Sequence, residues 1–184
     1  MNAFLNKADC FLMIVDIQER LHVAMEQEIK DTYVKNGIIL IRTASALDMS
    51  IIVSEQYPKG LGKTIHEVAG PLEGIPAMEK LSFSCMRDEA MKGAIHDTGR
   101  KTAILAGIET HVCVMQTALD LMDAGFRVVI ASDAVCSRRA ADRVAALDAM
   151  ARLGILVYPT ETIAFMLMER AGTPEFKILS PLFR

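Results

Sequence analysis

The stretch Ala103-Ile104-Leu105-Ala106-Gly107-Ile108-Glu109-Thr110-His111-Val112-Cys113-Val114 leaves this chain few folds to choose from. It opens as an apolar run without polar alternation, the pattern of a strand buried on both faces. Gly107 ends that run, a short turn follows, and from Val112 to Ala124 apolar residues recur at helical spacing. A fully buried strand that feeds a helix is one unit of a parallel sheet wrapped by helices. Cys113 then falls at the start of the helix, just beyond the carboxyl end of a strand. Open α/β sheets bind ligands at that edge, and the positive end of a helix dipole favours a thiolate.

The same alternation runs through the chain. Strands are predicted over Cys10–Val15, Ser50–Ser54, Met78–Ser84, Thr102–Ala106, Arg127–Ala131 and Ile155–Tyr158. Helices are predicted over Asp31–Leu47, Thr64–Val68, Asp88–Thr98, Val112–Ala124, Arg138–Leu153 (with Ser137 as its cap) and Thr160–Arg170. Gly125 and Gly154 stand where helices close. The tail, 172–184, has two prolines and isolated apolar residues, and is expected to wrap its own body or reach a neighbouring subunit. The expectation is a single domain over residues 1–184. Its class is α/β, in three layers, with a six-stranded, mostly parallel, Rossmann-like sheet carrying helices on both faces.

A chain of 184 residues is long enough to bury about 70% of its unfolded surface. Hydrophobic residues make up 52% of it, which suits strands covered on both sides and leaves a surplus for subunit interfaces. A homo-oligomer is therefore expected. The net charge of -3 gives no cationic footprint, so nucleic acid is not an expected partner. No apolar run reaches the ~18 residues of a membrane span. Met1 to Asp9 carries only Lys7 as a positive charge and leads straight into a strand, so it does not read as a signal peptide. Cys10, Cys85, Cys113 and Cys136 have neither CxxC spacing nor the density of a disulfide scaffold. Free thiols in a cytoplasmic protein are expected, with Cys10, Cys85 and Cys136 as packed core residues.

Parallel strands share one carboxyl edge, and Asp16, Glu55, Lys80 and the turn from Glu109 to Cys113 all lie at or near it. A carboxylate and an ammonium beside a thiol make a workable nucleophile assembly. The lysine and the helix start favour the thiolate, the carboxylate moves the proton, and turn N–H groups form an oxyanion hole. Taken singly, each residue also has a plain structural role. Asp16 can cap a turn, Lys80 can be a surface lysine, and a cysteine is among the commonest core residues.

Together with Ile14-Val15-Asp16-Ile17-Gln18, Ser54-Glu55-Gln56-Tyr57-Pro58-Lys59-Gly60-Leu61-Gly62, Glu79-Lys80-Leu81-Ser82-Phe83-Ser84 and Ser132-Asp133-Ala134, the 107–114 turn resembles the isochorismatase-like cysteine hydrolases over nearly the whole chain. The resemblance implies a six-stranded parallel sheet and a triad of Asp16 (proton acceptor and donor), Lys80 (electrostatic partner) and Cys113 (nucleophile). It also implies a cis Ile108–Glu109 peptide and an oxyanion hole from the N–H groups of Glu109 and Cys113. The reaction it implies is hydrolysis of a small amide or related C–N substrate through a thioester, with no cofactor. Gln18, Glu55, Phe83 and His111 are candidate pocket residues. Of these, Glu55 alternatively pairs with Lys80, Phe83 with the core, and His111 with its own turn.

Two departures narrow the reading. The metal-holding Asp and two His of the nicotinamidases are replaced by Glu55-Gln56-Tyr57-Pro58-Lys59, and His66 alone does not make a zinc site. No metal is therefore expected. Isochorismatases that cleave a vinyl ether do not use the nucleophilic cysteine, so Cys113 points away from isochorismate. The loop is instead similar to that of the small isochorismatase domain-containing proteins. A fold member kept for interaction or scaffolding, with weak turnover, is the alternative of a different class. A nucleotide-binding domain fails for want of GxGxxG or GxxxxGK[ST].

Overall fold

Apolar runs become strands covered on both faces. In the computed structural model, which describes residues 3–183, they are β1 (Cys10–Val15), β2 (Ile51–Gln56), β3 (Ala77–Lys80), β4 (Thr102–Ile108), β5 (Arg127–Cys136) and β6 (Leu156–Tyr158). Every neighbouring pair is parallel, in the order β3-β2-β1-β4-β5-β6. The helices are α1 (Glu19–Val23), α2 (Gln27–Ala46), α3 (Pro58–Leu61), α4 (His66–Ala69), α5 (Glu89–Asp97), α6 (Met115–Asp123), α7 (Ala140–Arg152), α8 (Thr160–Met168) and α9 (Pro174–Leu179).

Successive strand residues point to opposite faces, and β1 divides its side chains accordingly. Cys10, Leu12 and Ile14 pack with Tyr33, Leu40 and Ile41 of α2 and with Ile163 and Leu167 of α8. Phe11, Met13 and Val15 pack with Met91 of α5, Leu121 of α6 and Met150 of α7. The result is three layers. The helix after β1 goes to one face and the helix after β4 to the other, while β1 and β4 are neighbours in the sheet. This is a topological switch point, the place beyond the strand ends where open α/β sheets bind ligands. Asp16 and Cys113 emerge on its two sides.

Gly107 makes that close approach possible. Its φ is +130°, and a Cβ added there would meet the carbonyl oxygen of Val15 at 2.0 Å. The peptide bond that follows β4, Ile108–Glu109, is cis. The pairing register between β4 and β5 shifts between Leu105 and Gly107.

Several boundaries differ from the sequence reading. β5 runs on to Cys136 rather than ending at Ala131, and β3 stops at Lys80 instead of reaching Ser84. The long helix begins at Gln27, four residues before Asp31, and α1 precedes it in a stretch given no element by the sequence reading. Ser137 does not cap α7, which starts at Ala140 with Arg139 before it and no side-chain cap; its hydroxyl pairs with His111 instead. The tail wraps its own body, one of the two outcomes expected: α9 and a turn over Ser180–Phe183 follow α8, and Phe165 packs edge-on against Phe176 and Phe183. Arg184, and Met1 and Asn2 of the expected leaderless start, lie outside the described residues. Among the described residues no helix is long and apolar enough to cross a membrane.

Candidate active site

Asp16 follows the last residue of β1 in a left-handed conformation, φ 51°, and its own N–H donates to the carbonyl of Ser54 at 3.1 Å. Its carboxylate is fully buried. Oδ1 accepts from Ser54 Oγ at 2.7 Å and Oδ2 from Lys80 Nζ at 2.7 Å. Lys80 ends β3, two strands away, and its stem spans the end of β2 to reach Asp16. The structure therefore buries this lysine instead of leaving it on the surface. The ammonium also donates to Gln56 Oε1 at 2.8 Å and to the Phe83 carbonyl at 3.1 Å. Burial by itself would lower the Lys80 pKa; the negative charge of Asp16 and its hydrogen bond, with any charge on the Cys85 and Cys113 sulfurs acting the same way, outweigh it, so the net shift is upward.

Cys113 is 5% exposed and sits in a widened helical turn, Thr110–Val114, that leads into α6. The turn hangs on the Glu109 carbonyl, which accepts from the N–H groups of Val112 (3.1 Å) and Val114 (3.3 Å). Burial pushes the Cys113 thiol well up from its ordinary value, and Asp16 adds to this through its charge and as a hydrogen-bond acceptor, while Lys80 opposes it. The helix start and the lysine do not offset the loss of water and the facing carboxylate. Asp16 lies in place to take the thiol proton.

The other candidates are placed as follows. The Glu109 side chain is committed: Oε2 accepts from the N–H of Arg138 at 2.9 Å and from its Nε at 3.1 Å. Gln18 is not a free pocket group. Its amide donates to the carbonyls of Gln56 (3.0 Å) and Gly62 (2.7 Å) and accepts from the Gln56 N–H (2.7 Å). Glu55 does not pair with Lys80, which Asp16 already holds. It accepts from the N–H and hydroxyl of Thr64 at 2.7 and 2.9 Å and from Lys63 at 3.2 Å. Phe83 is 54% exposed rather than core, and its carbonyl is what reaches Lys80. His111 turns to Ser137 Oγ at 2.9 Å, with Asp142 at 3.9 Å.

Sequence reasoning missed Ser54, Gln56 and Thr110. A polar Ser-Glu-Gln ending to an apolar strand was the signal for the first two, but only the pairing of Gln56 with Lys80 across β2 and β3 gives it meaning. Thr110 Oγ1 is buried without a hydrogen-bond partner among the described residues. A cavity of about 500 Å³ lies beside the ends of β2 and β3, lined by Tyr57, Lys59, Lys80, Leu81, Ser82 and Arg87 among others, with neither Asp16 nor Cys113 in its wall. Among the described residues no cluster of His, Cys, Asp and Glu is arranged to hold a metal ion.

A family model described as an isochorismatase domain matches residues 10–162, a span that contains all three residues of the site. The chain belongs to the isochorismatase family. Isochorismatase domain-containing protein 1 of Salmo salar is 39% identical over 170 residues, covering 92% of this chain and 59% of that protein. The chain thus spans about three fifths of that relative's length. Among solved isochorismatase-fold structures, one described as the MAR1 ribonuclease of Caenorhabditis elegans superposes with a TM-score of 0.90 at 32% identity, covering 98% of this chain and 92% of that one. The YcaC gene product of Escherichia coli, described as an octameric hydrolase of unknown specificity, superposes with a TM-score of 0.85 at 24% identity, over 92% of this chain and 84% of that one. At that identity the likeness is one of fold.

Proposed function

We propose that this isochorismatase-family chain is a cysteine-dependent hydrolase of a small amide or related C–N substrate. The observation that carries the reading is the Asp16–Lys80 pair, both side chains fully buried, facing the Cys113 thiol at the switch point. A scaffold without turnover has no use for such a pair, since a buried ion pair contributes little to stability.

The residues suit the following sequence. Asp16 accepts the thiol proton as the sulfur attacks the substrate carbonyl carbon, giving a tetrahedral oxyanion. The N–H groups of Glu109 and Cys113 receive that oxygen. Asp16 returns its proton to the leaving nitrogen as the C–N bond breaks, which leaves a thioester on Cys113. Water then attacks the thioester, Asp16 takes the water's proton, and the carboxylic product departs as the sulfur regains a proton. Lys80 neither gives nor takes a proton here. Its charge offsets that of Asp16, which it touches at 2.7 Å, and moderates the negative charge that gathers at the sulfur.

The Asp and two His that would hold a nicotinamidase metal are replaced by Glu55-Gln56-Tyr57-Pro58-Lys59, and Glu55, near the end of β2, is spent on Lys63 and Thr64. The name of the nematode neighbour does not carry over either, because a net charge of -3 offers no general attraction for RNA. A homo-oligomer is part of this reading. Tyr57, Leu81 and Phe83 flank the site at 51, 76 and 54% exposure, as large apolar groups that a second copy would cover.

The test is a panel of small amides and ureides offered to the wild type and to Cys113→Ala. Release of the amine or ammonia that disappears in the variant supports the reading. Turnover that survives in the variant overturns it.

A further inference from the structure

We infer that Gln56 is a positioning residue for the Lys80 ammonium, acting through its side-chain amide oxygen. The inference rests on the reading of Asp16, Lys80 and Cys113 as the reacting centre, and adds to it the device that fixes the lysine.

An ammonium has three donors and no acceptor, and at Lys80 all three are engaged, on Asp16 Oδ2, Gln56 Oε1 and the Phe83 carbonyl. Such a group is a fixed charge, and its position sets the field at the neighbouring sulfur. One of its acceptors is the carboxylate that must move protons, and another is a carbonyl in the 81–84 loop. Gln56 is the one neutral side chain of the three. Its orientation is decided at the far end, because Nε2 donates to the Leu81 carbonyl at 2.8 Å and so turns Oε1 toward the ammonium.

The backbone of Gln56 is gripped in turn by Gln18, which donates to its carbonyl and accepts from its N–H. The remaining Gln18 donor goes to the Gly62 carbonyl. Two amides thus form a relay from the end of β1, through the end of β2, to the tip of Lys80. The residue type also has a reason. A carboxylate at position 56 would accept from Lys80 equally well but would place a second negative charge beside Asp16 and the thiols of Cys85 and Cys113. An amide supplies the acceptor without the charge.

The experiment follows the rate of Cys113 alkylation by iodoacetamide against pH, with the labelled cysteine located by mass mapping. Wild type, Gln56→Met and Gln56→Glu are compared, with Lys80→Met and Asp16→Asn alongside, and thermal melting reports the fold of each. With Lys80 released, Gln56→Met is expected to slow alkylation roughly tenfold at a fixed pH. Gln56→Glu keeps an acceptor oxygen, and is expected to slow alkylation through its added charge while melting close to the wild type. A wild-type pH profile in folded Gln56 variants, with the profile moved by Lys80→Met, overturns the positioning role alone. A profile unmoved by Lys80→Met and Asp16→Asn overturns the reacting centre, and the positioning role with it.

Discussion

Lys80 Nζ lies 2.7 Å from Asp16 Oδ2, and neither side chain reaches solvent. Removing either member strands the other where water cannot reach it. Asp16→Asn and Lys80→Met are each expected to cost about 3–5 kcal/mol. The double variant should lose much less than the sum, because no lone charge is left. Urea denaturation of the four proteins checks this. Additive losses would mean the two groups do not depend on each other.

Alkaline pH should weaken the fold in a defined direction. Burial raises the thiol of Cys85 to about 11, the charge of Asp16 adding to it and Lys80 opposing. Burial likewise raises Cys136 to about 11, with Arg143 opposing. The native state then holds these protons longer than the unfolded chain, so the stabilising effect is full below the ordinary value of 9.0 and is lost as pH rises through about 11. Denaturation midpoints measured across that range should fall, and the fall should be shallower in Cys136→Ala. An unchanged slope in that variant would assign the loss to other groups.

Gly107→Ala should be among the most damaging small substitutions in the chain. The new methyl would have to displace the Val15 backbone, and the φ of +130° is one that L residues rarely adopt. Crowding and backbone strain together predict a loss of at least ~2 kcal/mol, with Cys113 alkylation altered as well, because the displaced backbone carries Asp16. Thermal melting and the labelling rate, measured together, check both parts.

The Glu55 cluster separates buried hydrogen bonds from surface charge. Glu55→Leu removes the acceptor for both the N–H and the hydroxyl of Thr64, for a loss of about 1–3 kcal/mol. Lys63, whose side chain is 69% exposed, should be replaceable by Met with no measurable change. A larger effect at Lys63 than at Glu55 would reverse this account of the loop.

Sheet and site were legible to different depths in the sequence. The uninterrupted apolar runs at Cys10–Val15 and Thr102–Ala106 marked buried parallel strands, because local composition carries that information. Lys80 illustrates what local patterning omits. Its role depends on register with Gln56 and on an aspartate two strands away, so on its own segment it resembles any surface lysine. Gln18 and Glu55 misled in a related way. Polar residues at a strand's carboxyl edge satisfy backbone donors and acceptors of the loops there as readily as they bind a substrate, and only the partner atoms distinguish the two. The surroundings of Cys113 were not legible either, because helix position is visible in sequence, whereas loss of water and a nearby carboxylate are not.

The account turns on a covalent step at one sulfur, and intact-protein mass spectrometry reads it directly. A small amide that is turned over should leave the wild-type chain heavier by its acyl group, the added mass mapping to Cys113 and absent from Cys113→Ala. An amide that is hydrolysed while the sulfur stays unmodified under rapid quenching, with Cys113→Ala equally active, would contradict the account.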